Sequence, residues 1–249
     1  MGQRGGTWLY GLSLVVLLLA WQVGASLAAH RSLPPPLAVL EVLSAGLASG
    51  ELLYHLGVTL ARVAAAFLLA MAIGVALGIA MGRSRTLDRV LDGWLILFLN
   101  LPALVTIILC YVWFGLIEAA AIAAVAINKI PNVVVTVREG ARALDPAYME
   151  MARSFKLGRG RVLRHVVLPQ LVPFVVASAR SGLALIWKIV LVVELLGRSS
   201  GVGFQLSVFF QLFDVAAILA YTFAFVAVVQ VIELALLQPL ERRVNRWRR

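Results

Sequence analysis

Residues 56–81 read LGVTLARVAAAFLLAMAIGVALGIAM, with Arg62 as the one charged side chain. A bilayer's hydrocarbon core takes about 20 helical residues to cross, and this stretch is longer than that. Runs of comparable length and character recur at 8–29, 93–115, 119–137, 171–196 and 215–237. None shows the every-second-residue alternation of a barrel strand, so helices are the remaining way to satisfy the backbone in lipid. Composition points the same way. Of 249 residues, 62% are hydrophobic and 14% charged, against roughly 45–50% and 25% in soluble domains. So much apolar area cannot be hidden behind so few charges. The expectation is an all-α integral membrane protein of about six transmembrane helices, forming one domain over 1–249.

The first run also fits a cleaved signal peptide, with Arg4 as basic flank and Ser26-Leu27-Ala28 as cleavage site. Its uncharged stretch is longer than an ordinary signal's apolar region and more spans follow, so a retained helix is expected.

Basic residues set the orientation. With the N-terminus inside, the inner segments hold Arg4, Arg83, Arg85, Arg89, the seven basic residues of 138–164 and five in the tail after 241. The outer segments hold only Arg31 and Arg198, and both termini come out cytoplasmic. The net charge of +10 therefore follows membrane sidedness. With no basic platform interleaved with aromatics, nucleic acid is not an expected partner.

Within the spans, Gly74, Gly78 and Gly82 share one helix face. Small residues at that spacing let two helix backbones approach closely, either inside this chain or between two chains. The fourth span is expected to be interrupted at Asn128-Lys129-Ile130-Pro131-Asn132, because proline removes a backbone donor and amides are unfavourable in lipid. Asn128, Lys129, Lys188 and Glu194 are candidates to line a solute path, since polar groups at membrane depth are functional candidates by default. Lys188 and Glu194 are also readable as members of ion pairs, and Arg62 as a side chain that snorkels to the interface.

The fourth and fifth spans are joined by a basic loop, 138–170. Asp145 is placed to cap a helix whose first position is Pro146, and Gly158 is placed to end it in the left-handed conformation. A helix over 146–157 aligns Tyr148, Ala152 and Phe155 as one apolar stripe with Met151 beside it. Too short to cross a bilayer, it either lies on the membrane surface or seats its stripe in another protein's groove.

Glu150-Met-Ala152-Arg-Ser-Phe, followed by Val166-Val-Leu168-Pro169, resembles the cytoplasmic EAA loop of ABC-importer permeases. Met151 replaces the middle alanine of that pattern, and Lys156 stands where it has glycine, with Gly158 two residues later. Residues 50–62, Asp145-Pro146 and 194–203 are similar to the nitrate/sulfonate/taurine branch of the family. The resemblance covers nearly the whole chain. It implies a type I ABC importer (MetI-like) permease fold, non-catalytic and without cofactor or metal, in the bacterial inner membrane. Two copies would pair around a central path, and a periplasmic solute-binding protein would deliver the solute. Each loop helix would seat on a cytoplasmic ABC ATPase subunit, which closes on ATP and rocks the spans. Asp145, Tyr148, Glu150, Met151, Ala152, Phe155, Gly158, Leu168 and Pro169 are the implied coupling residues, with Ala152 small because the partner approaches there.

No Gly-x-x-x-x-Gly-Lys-Ser/Thr phosphate loop is present, so ATP hydrolysis is expected on another chain. The three histidines, His30, His55 and His165, are too scattered for a metal site. The competing reading is a stand-alone secondary transporter, which would also use polar breaks and buried charges. No inverted repeat supports it.

Overall fold

The computed structural model describes residues 6–28 and 32–239. They form α1 (Gly6–Ala28), α2 (Pro36–Ser49), α3 (Glu51–Arg83), α4 (Arg85–Asn100), α5 (Ala103–Phe114), α6 (Glu118–Arg142) and α7 (Pro146–Ser154), then α8 (Arg159–Val162), α9 (Leu168–Gly197), α10 (Val202–Gln211) and α11 (Val215–Ile232). Five-residue π turns at Leu163–Val167 and Glu233–Leu237 follow α8 and α11. Arg4, Arg31 and the basic tail after 241 lie outside the described residues.

The glycine face of α3 packs within the chain, against α6. A Cβ on Gly74 would come 2.5 Å from Val133 Cβ, and one on Gly78 2.8 Å from Val137 Cβ. At Gly82 the neighbour is Ala141 Cβ, at 2.6 Å. Larger residues would force the two helices apart and open the core behind them. That core joins α3, α5, α6, α9, α10 and α11 through Ala66, Ile107, Ala124, Ile186, Val202 and Phe225.

The span pattern holds, with corrections. Among the described residues four helices are long and apolar enough to cross a membrane, α3, α6, Arg159–Gly197 and Val215–Ala235, and the α4–α5 pair makes a fifth if its two halves are one span. With α1, 23 residues long and uncharged, the count is about six. The third run is not a straight helix: α4 and α5 meet at 99°. Pro102 disfavours helical geometry at the residue before it, and Leu101 is extended (φ −69°, ψ 125°). The expected interruption of the fourth span is absent, since α6 runs unbroken through Pro131. Asn128, Asn132 and Thr136 donate to the carbonyls of Ala124, Asn128 and Asn132, at 2.8, 3.4 and 3.0 Å. Those polar groups are satisfied on their own helix and need no break. The fifth span is a 39-residue helix starting at Arg159, so most of the 138–170 loop is helical.

Two short apolar helices were not anticipated. α2 starts on Pro36 and ends at Gly50 in the left-handed region (φ 77°). At 14 and 10 residues, α2 and α10 are too short to span.

Candidate functional site

The loop helix α7 is built as its capping residues dictate. Asp145 Oδ1 accepts from Ala147 N at 2.8 Å, and Pro146 holds the first helical position. Asp145 N donates to Gln170 Oε1 at 3.0 Å, tying the start of α7 to α9. The end differs from expectation. α7 stops at Ser154, and Gly158 is extended (φ −62°, ψ 152°), opening α8. The left-handed residue is Lys156 (φ 52°). Lys156 N donates to Arg153 O at 2.9 Å and Leu157 N to Ala152 O at 3.0 Å, the paired bonds of a Schellman end. The geometry falls where the family pattern has its glycine, on a lysine.

The apolar stripe of α7 is also corrected. Ala152 is 1% exposed and faces the chain's own interior, where Met149 packs with Ala141, Val167 and Leu171. Tyr148, Met151 and Phe155 face outward, with Phe155 74% exposed. Ala152 is thus small because its own chain presses on it. Glu150 is exposed beside the outward face. Leu168 and Pro169 begin α9 directly after the π turn. The wider turn spares the hydrogen bond that Pro169 cannot donate, so the helix is continuous from α8.

The four path candidates occupy separate environments. Asn128 is half-buried and bonded along its own helix. Lys129 is 1% exposed and lies across the α6–α9 seam, where a Cβ on Gly182 would overlap its side chain. Among the described residues it has no carboxylate partner. Lys188 is exposed on α9. Glu194 is fully buried inside an ion cluster and opens onto no path in this conformation.

That cluster is the polar feature most of which sequence reasoning missed. Arg62 does not snorkel. At 4% exposure it makes two bonds to Glu118, Nε to Oε2 at 2.9 Å and Nη2 to Oε1 at 2.6 Å. Its Nη1 donates to Glu194 Oε1 at 2.8 Å and to Ser200 O at 2.6 Å. Glu194 Oε2 accepts from Thr59 Oγ1 at 2.9 Å and from Gly203 N at 2.8 Å. Arg198 bonds Glu118 and the Leu116 carbonyl, and Gly201 N donates to His55 Nδ1 at 3.0 Å. Gly201 is left-handed in φ (105°), and a Cβ there would run into the Glu194 carboxylate. Two arginines and two glutamates thereby join α3, α6, α9 and the turn before α10. Arg62 and Glu194 at membrane depth were the available signal, since each needed a partner. Their pairing, and the part played by Glu118, had no local signature.

Comparison with known proteins bears on both regions. Residues 54–246 match the family described as binding-protein-dependent transport system inner membrane component. The putative aliphatic sulfonates transport permease protein of Bacillus subtilis (strain 168) is 30% identical over 250 residues, covering 99% of this chain and 90% of that protein. The taurine transport system permease protein of Escherichia coli (strain K12) is 29% identical over 242 residues, 94% of this chain and 88% of its own. In fold, the chain is similar to a chain of the inward-facing MetNI methionine ABC transporter, with a TM-score of 0.67 at 17% identity, covering 76% of this chain and 94% of that one. By sequence over most of its length, and with the fold of an importer permease, the chain belongs to the family of binding-protein-dependent transport system inner membrane components, as a multi-pass membrane transport subunit.

Proposed function

We propose that the chain forms the translocation path of an ATP-driven importer for a small anionic solute and couples to a separate ATPase through α7. The observation that carries the coupling is the outward face of α7. Tyr148, Met151 and Phe155 stand exposed on a capped helix whose inner face is held by Ala152 and Met149. A rigid short helix with a free apolar face, anchored on a continuous 39-residue helix, is a lever: force on α7 passes directly into a span. ATP hydrolysis belongs to the partner in this reading, and 138–170 is the coupling segment of a single 1–249 domain.

The orientation follows the charges. Arg83, Arg85, Arg89, Arg138, Arg142, Arg153, Lys156, Arg159, Arg161 and Arg164 gather at one end of the helices with α7, which is the cytoplasmic end by the positive-inside rule. The same rule assigns both termini, which lie outside the described residues, to that side. The partners are two cytoplasmic ABC ATPase subunits, a periplasmic solute-binding protein and a second permease copy in a homodimer. Relatives named for aliphatic sulfonates, taurine and nitrate share anionic chemistry. Exposed Lys188 is the cation offered to such a solute in this conformation; Lys129, buried without a carboxylate partner among the described residues, joins it, with Asn128 nearby in sequence, when the α6–α9 seam opens during the cycle.

The test is Glu150→Lys, which places a cation beside the docking face. Co-purification of the ATPase should fall at least about ten-fold, of the order of one lost interface hot spot, while the spans insert normally. A mutant complex that assembles and couples like wild type would remove α7 from the coupling role.

A further inference from the structure

Between α3, α4 and α6 lies a wedge with two unlike halves. The deeper half is a slot of about 260 Å³ whose lining is apolar, including Leu77, Leu91, Trp94, Phe98 and Pro131. The half nearer the helix ends is a cup of about 490 Å³ lined by Arg83, Arg85, Asp88 and Arg142. Met81 lines both, so they adjoin.

Charge in the cup is unbalanced. Asp88 is already engaged by Arg138 at 3.3 Å and by Arg142, and Arg138 also holds Asp92 at 2.6 Å. Arg83 and Arg85 are exposed and have no ion-pair partner among the described residues. Trp94, 60% exposed, stands in the slot a few turns below, at a depth suited to the lipid interface. An apolar slot beside a cup with two unpaired arginines matches a molecule with a hydrocarbon tail and an anionic head. Basic pockets between transmembrane helices bind anionic lipid headgroups on the same principle. A small soluble anion would leave the slot unfilled.

We propose that this wedge is a binding site for an anionic phospholipid, with an acyl chain in the slot and the phosphate against Arg83 and Arg85. Arg83 also lies 4.0 Å from Met149 Sδ on the inner face of α7, so the bound headgroup borders the proposed lever. The placement in the cytoplasmic leaflet rests on the orientation proposed above; the occupancy does not.

The experiment uses the assembled importer carrying Trp94 as its sole tryptophan, the other five (of six in this chain) and those of its partners replaced by phenylalanine. It is reconstituted in symmetric vesicles of phosphatidylglycerol and phosphatidylcholine, with one lipid brominated at a time. Brominated phosphatidylglycerol should quench Trp94 at about ten-fold lower mole fraction than brominated phosphatidylcholine, as expected for one to two arginines facing a phosphate. Arg83→Gln/Arg85→Gln should erase the preference, and Leu77→Phe should reduce quenching by both lipids. Equal quenching by the two lipids in the parent protein overturns the proposal. So does protection of Trp94 from both, which would mean that a second copy or another chain covers the slot. Relief of quenching by excess inorganic phosphate would assign the cup to a soluble anion and also overturns it. Because the vesicles are symmetric, the result stands apart from the orientation and from the ATPase test.

Discussion

α7 and the Arg62 cluster are both polar departures from an apolar chain, and they are finished to different degrees. In the cluster, every nitrogen of the Arg62 guanidinium has a partner and both oxygens of Glu194 are occupied. At its buried centre nothing is left over for another molecule; only toward the rim do Arg198 Nε, without a partner, and the half-exposed Glu118 keep spare capacity. α7 keeps its backbone ends satisfied but presents Tyr148, Met151 and Phe155 outward. Exposed leucines along the spans mean little, because lipid covers them. The same exposure on a helix too short and too basic in its surroundings to span is an unfilled contact. The closed cluster is a joint; the open helix is a handle.

The largest effect should come from breaking the joint. Arg62→Ala leaves Glu194 buried without its cation, and we expect a loss of about 3–5 kcal/mol, as for other halves of buried pairs. Thermal unfolding in detergent would read it. Arg62→Met combined with Glu194→Gln should recover much of the loss, and a double variant as unstable as the single one would show that the pairing is not what holds α3 to α9.

Next in size is Gly182→Ala, which drives a methyl into the side chain of Lys129. Overpacking of this kind amounts to about 1–3 kcal/mol. Pairing it with Lys129→Ala should return stability toward the parent, measured as a coupling energy between the two sites. Additive losses would mean that Lys129 moves aside freely.

The handle should behave in the opposite manner. Phe155→Ala is expected to weaken ATPase association by about ten-fold, near 1.4 kcal/mol, with the unfolding midpoint of the isolated permease unchanged. A fall in the midpoint without a change in association would make Phe155 part of the fold and blunt the contrast with Arg62. The smallest effect concerns Lys156, held at φ 52°. Lys156→Gly removes the Cβ penalty of the left-handed region and should stabilise by about 1 kcal/mol. Destabilisation would show that the lysine side chain contributes more than its backbone strain removes.

Some of this was legible early. The Asp145-Pro146 start of α7 was readable because a cap is a contact between neighbours in sequence. Its end was misread: glycine at 158 looked like the terminator, while the helix stops at Ser154 and the left-handed turn falls on Lys156, beside the inward-packed Ala152 and Met149. Pro131 and the π turn before Pro169 show the same limit. Whether a proline breaks a helix depends on what nearby side chains and turns can re-satisfy, and that is not a property of the proline.

By itself, then, the sequence determined the membrane class, the approximate spans, the cap of α7 and the family pattern around Glu150, because hydropathy, capping and short motifs are local. Tertiary structure alone decided that the α3 glycines meet α6 within the chain, that Pro102 folds the third run by 99°, and that Ala152 faces inward while Phe155 faces out. It also decided that Arg62 closes on Glu118 and Glu194, 56 and 132 positions away. Arg62 and Glu194, each costly alone in lipid, are accommodated because distant helices bring their opposites together, and no window of sequence records which opposite will arrive.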